Sequence, residues 1–459
     1  MSFMKLDCAP KNKPVLDPEF IPLKKFSEAF LRQASRPISV VIESGTDSVA
    51  VYDTKIHGTP EMAEADAYYI DRLVKMLLWQ KGGSKITICG DKKMYELIRQ
   101  TYSSTGSRAF DAGFMAKVFE HPFEVCYREL SEKPLPVSKA KRVGRHLDGC
   151  RIGFDAGGSD RKVSAVIEGE SVFSEEVVWL PKEQTDPDYH YQGILDALKA
   201  AASHMPRVDA IGVSSAGIYI NNRTMVASLF IKVPEALFEA KVKDIFVRAA
   251  KEINPDVKVE VCNDGDVTAL AGAMSLDVNS ILGIAMGTSE AGGYVDQDGN
   301  ITGWLNELAF APVDANPKAM IDEWSGDIGC GVKYFSQDAV IKLAPRAGID
   351  VSDASTPAEK LKIVQKLMEK DDPRAIDVYT SLGCYLGHTL AYYNDFYDIK
   401  HVLLLGRVMS GKGGDIILSE AKRILGEEYP DATLQPALPD EKFRRVGQSV
   451  AAASLPEIS

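Results

Sequence analysis

Two carboxylates in the chain stand where an apolar, strand-like run gives way to small residues. In "GFDAGGSDRK", Asp155 closes the run, and Gly157, Gly158 and Ser159 follow. In "VKVEVCNDGDVTALAGAM", Asn263 and Asp264 close a second run and open a helix rich in Ala and Gly. A glycine turn lets amide N–H groups approach a phosphate with no Cβ in the way. A carboxylate at its rim can hold Mg2+ through water, because that ion gives up its hydration reluctantly. Asp264 is placed to take a proton from a hydroxyl, with Asn263 orienting the same molecule. The competing readings are structural: an ordinary hairpin around Asp155 and a helix cap at Asp264. Asp266, in the first helical turn, reads as a solvated side chain.

Two further glycine turns follow. In "GIAMGTSEAGGYVDQDGNITG" a buried run ends at Gly287 and Thr288, passes Gly292 and Gly293, and returns as a strand. Thr288 and Ser289 offer hydroxyls to phosphate oxygens; a second hairpin is the plainer alternative. In "HVLLLGRVMSGKGGD" a run stops at Gly406, and Gly411, Gly413 and Gly414 precede a helix expected near Asp415. Such a backbone can lie flat against an adenine ring or ribose, beyond the strand ends where α/β sheets bind ligands. A flexible strand-to-helix loop is the alternative.

The elements that carry these turns alternate between strand and helix after residue 150. "RIGFD", "SAVIEG", "DAIGVSS", "VKVEVC", "SILGIAM" and "HVLLLG" read as strands. Helices are expected after Asp186-Pro187 and over 355–370, 374–393, 413–425 and 440–454. That alternation predicts an α/β fold with partly parallel sheets. Ahead of it, "PLKKFSEAFLRQ" and "DAYYIDRLVKMLLWQ" read as helices, "ISVVIESGTDSVAVYD" as a hairpin and "KITICG" as a strand. Residues 131–149, polar, basic and with two prolines, read as a connection.

At 459 residues the chain calls for two or three domains. A 45% apolar and 26% charged composition is that of a globular protein. No apolar run is long enough to span a membrane, and the opening stretch lacks a signal peptide's apolar core, which predicts a cytoplasmic protein. Seven scattered cysteines make neither a disulfide framework nor a zinc-ligand spacing, and the seven histidines form no metal-ligand spacing either. Residues 1–150 carry 23 Lys/Arg against 19 Asp/Glu, the remainder 30 against 46. That acidic body disfavours nucleic acid as a partner.

The order of the four motifs resembles the ROK family of sugar kinases and sugar-responsive repressors, within the actin-like ATPase superfamily. The resemblance runs from about residue 150 to the C-terminus. It implies a two-lobed, ribonuclease H-like α/β fold: an amino lobe over 151–265, a carboxy lobe over 266–459 whose last helix is free to return to the amino lobe, and residues 1–150 as an extension of unassigned role. It implies an ATP- and Mg2+-dependent kinase acting on a sugar hydroxyl, a homodimer without membrane attachment. Asp155, Gly157, Gly158, Ser159, Gly287, Thr288 and Gly292 would serve the phosphates across a cleft, with Mg2+ held near Asp155 through water. Gly406, Gly411, Gly413 and Gly414 would serve adenosine. Asn263, Asp264 and Glu307 would bind sugar, with Asp264 as catalytic base. Departures from the family pattern fall mainly on the sugar side. Phe310 replaces a histidine that binds sugar and structural zinc, and Cys330 is alone where the zinc loop has several cysteines. "SLFIKVP" lacks the family's asparagine, and Arg407 replaces a glycine of the adenosine loop. The resemblance therefore predicts a zinc-free kinase with an atypical sugar site; the alternatives are a sugar-responsive regulator and an inactive sugar-binding paralogue.

Overall fold

The computed structural model describes residues 6–45, 48–138, 143–439 and 441–458. Part of the expected 131–149 connection (139–142) and the first residue of the expected 440–454 helix lie outside the described residues. Contacts divide the chain into two units. The first comprises Met1–Lys139, Ile284–Gly292 and Trp304–Leu438; the second comprises Ala140–Gly283, Gly293–Gly303 and Pro439–Ser459. The expected boundaries at 150 and 265 thus fall elsewhere, because residues 1–139 share a core with 304–438 and do not form a body of their own. Among the described residues no helix is long and apolar enough to cross a membrane.

The amino-terminal part of the first unit runs α1 (Leu23–Leu31), β1 (Arg36–Glu43), β2 (Ser48–Ile56), α2 (Ala63–Lys81), β3 (Lys85–Cys89), α3 (Lys92–Thr101), α4 (Ala109–Phe119), β4 (Glu124–Arg128) and β5 (Val137–Ser138). Its five strands form one sheet in the order β4-β3-β1-β2-β5, with the expected antiparallel β1–β2 hairpin inside it. Most of α2 is buried, from Ala65 to Gln80. That burial brings charged residues inside as well. Arg72 pairs with Asp71 at 2.8 Å and Asp327 at 2.9 Å, and Lys75 meets Asp327 at 3.0 Å and Asp111 at 3.4 Å. Arg108 closes the group on Asp71 (2.6 Å) and Asp327 (2.7 Å). Buried charges persist only when paired in this way.

The second unit begins with β6 (Cys150–Ala156), β7 (Asp160–Ile167) and β8 (Glu170–Val178), then α5 (Pro187–Ala202), β9 (Ala210–Ser215), the short hairpin β10 (Ile218–Ile220) and β11 (Arg223–Val226), α6 (Glu235–Leu237), α7 (Ile245–Ile253), β12 (Lys258–Asn263) and α8 (Asp264–Leu276). Its sheet has the order β12-β9-β6-β7-β8, parallel from β12 to β6 and antiparallel from β6 to β8. Ile152, Phe154, Ile211 and Val213 of the strands pack with Ile194 and Leu198 of α5 and Phe246 of α7.

Strands β13 (Ile281–Met286) and β14 (Glu290–Val295) run through the boundary between the units. The first unit resumes with α9 (Gln337–Arg346), α10 (Pro357–Met368), α11 (Pro373–Tyr393), β15 (His401–Leu405), α12 (Lys412–Glu428) and β16 (Gln435–Ala437), the strands forming a β14-β13-β15-β16 sheet. The last helix, α13 (Glu441–Ala453), belongs to the second unit and packs on β6 and β9. Gly153 and Gly212 lie opposite each other in the β6–β9 ladder. A Cβ on Gly153 would collide with the Ser449 carbonyl, and one on Gly212 with the Ala452 carbonyl. Two side-chain-free positions side by side are what let a helix backbone rest directly on the strands.

Candidate functional site

In the second unit, the turn after Asp155 is organised by Trp179. Its indole N–H reaches the carbonyl oxygens of Gly157 (2.8 Å) and Asp160 (3.0 Å), and its backbone N–H donates to the Ser159 carbonyl at 3.1 Å. The carbonyls are thereby occupied. Among the described residues nothing accepts from the N–H groups of Gly157, Gly158 or Ser159. Gly158 and Ser159 are exposed, so the turn presents free donors to an anion. Gly157 is also needed by the hairpin itself, since a Cβ there would stand 2.7 Å from the Asp160 carbonyl oxygen. Lys182 lies over Gly158, its Nζ 3.0 Å from where a Cβ would be, and adds a cation to the same spot.

Asp155 and Asp264 are both half-buried in this unit, and Asp155 feels the charge of Asp264. The Ser214 hydroxyl donates to Asp155 Oδ1 at 2.9 Å. Gln448 Nε2, one residue past the non-helical Gly447 of α13, donates to Ser214 Oγ at 2.9 Å and to the Asp264 backbone carbonyl at 3.1 Å. Burial, with the like charge of Asp264, pushes the Asp155 carboxyl up to about 6 against the Ser214 hydrogen bond. Burial also raises Asp264, while the Gly265 N–H at 3.0 Å and the charge of Lys182 pull it down. The cap of α8 is Asn263, whose Oδ1 accepts from Gly265 N–H at 2.7 Å and whose Nδ2 donates to the Gly217 carbonyl at 2.7 Å. Capping, the competing account of Asp264, is thus discharged mainly by its neighbour. Asp266 is not solvated: it is 5% exposed and accepts from the Tyr294 N–H at 3.1 Å, because α8 packs on β14 closely enough that a Cβ on Gly293 would strike the Gly265 carbonyl.

The first unit carries the other predicted residues. Gly287 N–H donates to Ser289 C=O at 3.0 Å, and the Gly287 carbonyl accepts from Gln337 N–H, at the start of α9, at 2.9 Å. A Cβ on Gly287 would find no atom nearer than 3.8 Å, and Thr288 and Ser289 are exposed, so the turn is open. Gly406 (φ 96°) packs on the backbone of Met286, which brings the third turn beside the second. The other glycines have work inside the protein. Gly413 abuts the Tyr379 ring and Gly414 the Met409 carbonyl, and a Cβ on Gly292 would stand 2.7 Å from the Asn306 carbonyl oxygen. Helix α12 starts at Lys412, ahead of the expected Asp415, so Gly413 and Gly414 are buried in its first turn instead of forming a flat loop. A Cβ on Gly411 (φ 67°) would stand 2.6 Å from the Glu369 carboxylate, and Arg407 is exposed.

Glu307, half-buried, lies in this unit with Glu290, an acid that its place within a glycine run had concealed. Glu290 is 3% exposed, and its Oε2 has no hydrogen-bond partner among the described residues. Burial, with the charge of Glu307, pushes it up to about 8, so it is held as the neutral acid. Gly331 is what makes room, since a Cβ there would overlap Glu290 Oε2. Ser214, Lys182 and Gln448 were missed as well. Each comes from a segment with no motif of its own, and only folding sets it beside Asp155 or Asp264.

The residues present fit a nucleoside triphosphate with Mg2+: an open turn with N–H groups that make no hydrogen bond among the described residues, a neighbouring lysine, and a carboxylate raised to about 6. A search of curated proteins found no match to the chain. Among solved structures, a ROK hexokinase from Thermus thermophilus shares 19% identity over 66% of this chain and 96% of that one, with a TM-score of 0.51. A ROK transcriptional regulator, a homologue of the E. coli MLC protein, shares 17% identity over 67% of this chain and 79% of that one, with a TM-score of 0.53. These likenesses show the fold, a mixed α/β architecture of the actin-like ATPase type. The model of the ROK family matches residues 151–428, more than half of the sequence. The chain belongs to the ROK family.

Proposed function

We propose that the protein is an ATP-dependent kinase that phosphorylates a hydroxyl of a hexose or related sugar. The observation that carries this reading is the Asp155–Ser214–Gln448–Asp264 group beside a turn whose three N–H donors have no acceptor among the described residues. A protein that only bound sugar would have no use for that combination. The N–H groups of Gly157, Gly158 and Ser159, with Lys182, receive phosphate charge in the second unit; in the first unit the exposed Thr288 hydroxyl beside Gly287 is the donor for phosphate oxygens, and the Gly406 turn offers its backbone to a nucleoside. Asp155 would hold Mg2+ through water, and the ion would supply further neutralisation of the phosphates. Phosphoryl transfer proceeds through a loose transition state, so the protein's task is mainly to position and to spread charge. In the second unit Asn263 orients the acceptor and Asp264 takes the proton from the attacking oxygen as the new O–P bond forms and the bond to ADP breaks; in the first unit Glu307 is the acceptor-binding residue.

ADP release measured across a panel of hexoses and amino sugars tests the proposal. Turnover with one of them, lowered about a hundredfold or more by Asp264→Asn with sugar binding retained, is the expected result. An undiminished rate in that variant removes Asp264 as the base. A second reading, a non-catalytic sugar-binding regulator, is favoured by the missing asparagine in "SLFIKVP" and by the likeness to the regulator. Sugar binding with no ADP release from any member of the panel would decide for it.

A further inference from the structure

The last four residues of a helix leave carbonyl oxygens without intrahelical partners, and something must satisfy them. In α2 the accounting is complete. Leu78 C=O accepts from the Gly82 N–H at 2.9 Å, while Trp79, Gln80 and Lys81 accept from Glu307 (3.0 Å), Asn306 (3.0 Å) and Leu305 (3.4 Å). Three consecutive amides therefore dock on three consecutive carbonyls, and the last of the amides is that of Glu307. The side chains repeat the contact. The Trp79 ring stacks on Phe310 with centroids 4.3 Å apart, and Gln80 Nε2 donates to the Phe396 carbonyl at 2.7 Å.

Residue 306 shows that this docking imposes a shape. Asn306 has φ 51°, a left-handed conformation disfavoured for any residue with a Cβ, and it is 2% exposed. It is held there by the Gln80 carbonyl on its N–H and by the Tyr397 hydroxyl on its Oδ1 at 2.9 Å. Strain of this kind persists only where the surroundings over-determine it. The far end of the same segment is also tied to the amino-terminal part: Leu23 N–H donates to Val313 C=O at 3.1 Å, Ala315 N–H to Ile21 C=O at 2.8 Å, and Ile21 N–H to Asp314 Oδ1 at 3.0 Å. Beyond it, Asp327 is seized by Arg72, Lys75 and Arg108. Residues 305–327 are thus gripped at three places by residues 21–108, all within the first unit.

We propose that the amino-terminal segment is the positioning element for Glu307, with the Trp79–Phe310 stack and the last turn of α2 setting where its carboxylate points. Trp79 is a positioning residue and touches no substrate. The proposal rests on the reading of Glu307 as an acceptor-binding residue, but its structural half is testable without activity. Hydrogen exchange on the full chain should show the amides of 305–307 protected in the wild type. Trp79→Ala, and Phe310→Leu from the other side of the stack, should raise their exchange about tenfold or more while leaving β6 and β9 protected. Trp79→Phe should restore the wild-type pattern. Unprotected 305–307 amides in the wild type, or protection unmoved in both folded variants, would overturn the docking role. In the ADP-release assay the same variants should raise the acceptor KM about tenfold with the KM for ATP unchanged. An equal rise in both would reduce Trp79 to a general packing role. A wild type that releases no ADP yet shows the exchange pattern would sink the kinase reading and leave the docking intact.

Discussion

Asp155 and Glu290 are carboxyls that burial keeps protonated well above the ordinary range, and they lead to opposite expectations. Asp155 must be ionised to hold a hydrated cation, so kcat/KM should rise with pH through about 6, the value to which burial and Asp264 push it. A pH–rate profile with Asp155→Asn as control checks this: the limb near pH 6 should disappear together with most of the activity. Glu290 bears on stability. Its folded value, about 8, stands above the 4.5 of a free glutamate, so the folded state holds a proton that the unfolded chain has lost. The stability this lends is full below 4.5 and is lost as pH rises through 8. Urea midpoints should therefore fall across that window, and Glu290→Gln, uncharged and of the same shape, should flatten the fall. The two residues also differ in legibility. Asp155 could be read from its own neighbours, because an acid followed by glycines at a strand end already describes a local geometry. Glu290 could not, since its burial depends on Gly331, forty-one positions on.

At the level of elements, apolar runs were enough to locate β6, β9, β12, β13 and β15, along with the long helices α2 and α11. Strand β8 escaped because most of its side chains are exposed and no alternation marks it. Helix α9 escaped because Pro345 sits within it. The role of α13 was hidden in residues that belong to other elements, namely the paired Gly153 and Gly212 on which it lies. Gly153→Ala or Gly212→Ala should cost about 1–3 kcal/mol by overpacking. They should also reduce turnover, because lifting α13 withdraws Gln448 from Ser214 and Asp264. Chemical denaturation gives the first quantity and ADP release the second. A loss of stability with full activity would mean that Gln448 has no part in ordering the two acids.

Over the whole molecule, the amino-terminal residues are the part the sequence explained least. Several of their partners, Asp327 for Arg72, Lys75 and Arg108 and the Glu307 amide for Trp79 among them, lie more than two hundred positions away, and no local pattern records that. They share the first unit's core, so a chain beginning at residue 140 should lose that unit's fold, a loss that circular dichroism and solubility would register. Their charged cluster is a load on the fold as well as a tie. Asp327 stays ionised against its burial because Arg72 and Lys75 outweigh the desolvation. Asp327→Asn would leave buried cations short of a partner and should cost about 3–5 kcal/mol in equilibrium unfolding. The second unit is stitched from distant stretches too, and its seam passes through the chemistry. Ser214 and Gln448 are 234 positions apart. On the ribosome, β6, β9 and α8 emerge long before the helix that joins their two acids, so a nascent or carboxy-terminally clipped chain can carry both acids and still lack the clasp that orders them. The hydrogen bonds of Gln448 to Ser214 and to the Asp264 carbonyl therefore form only once the second unit has been made in full.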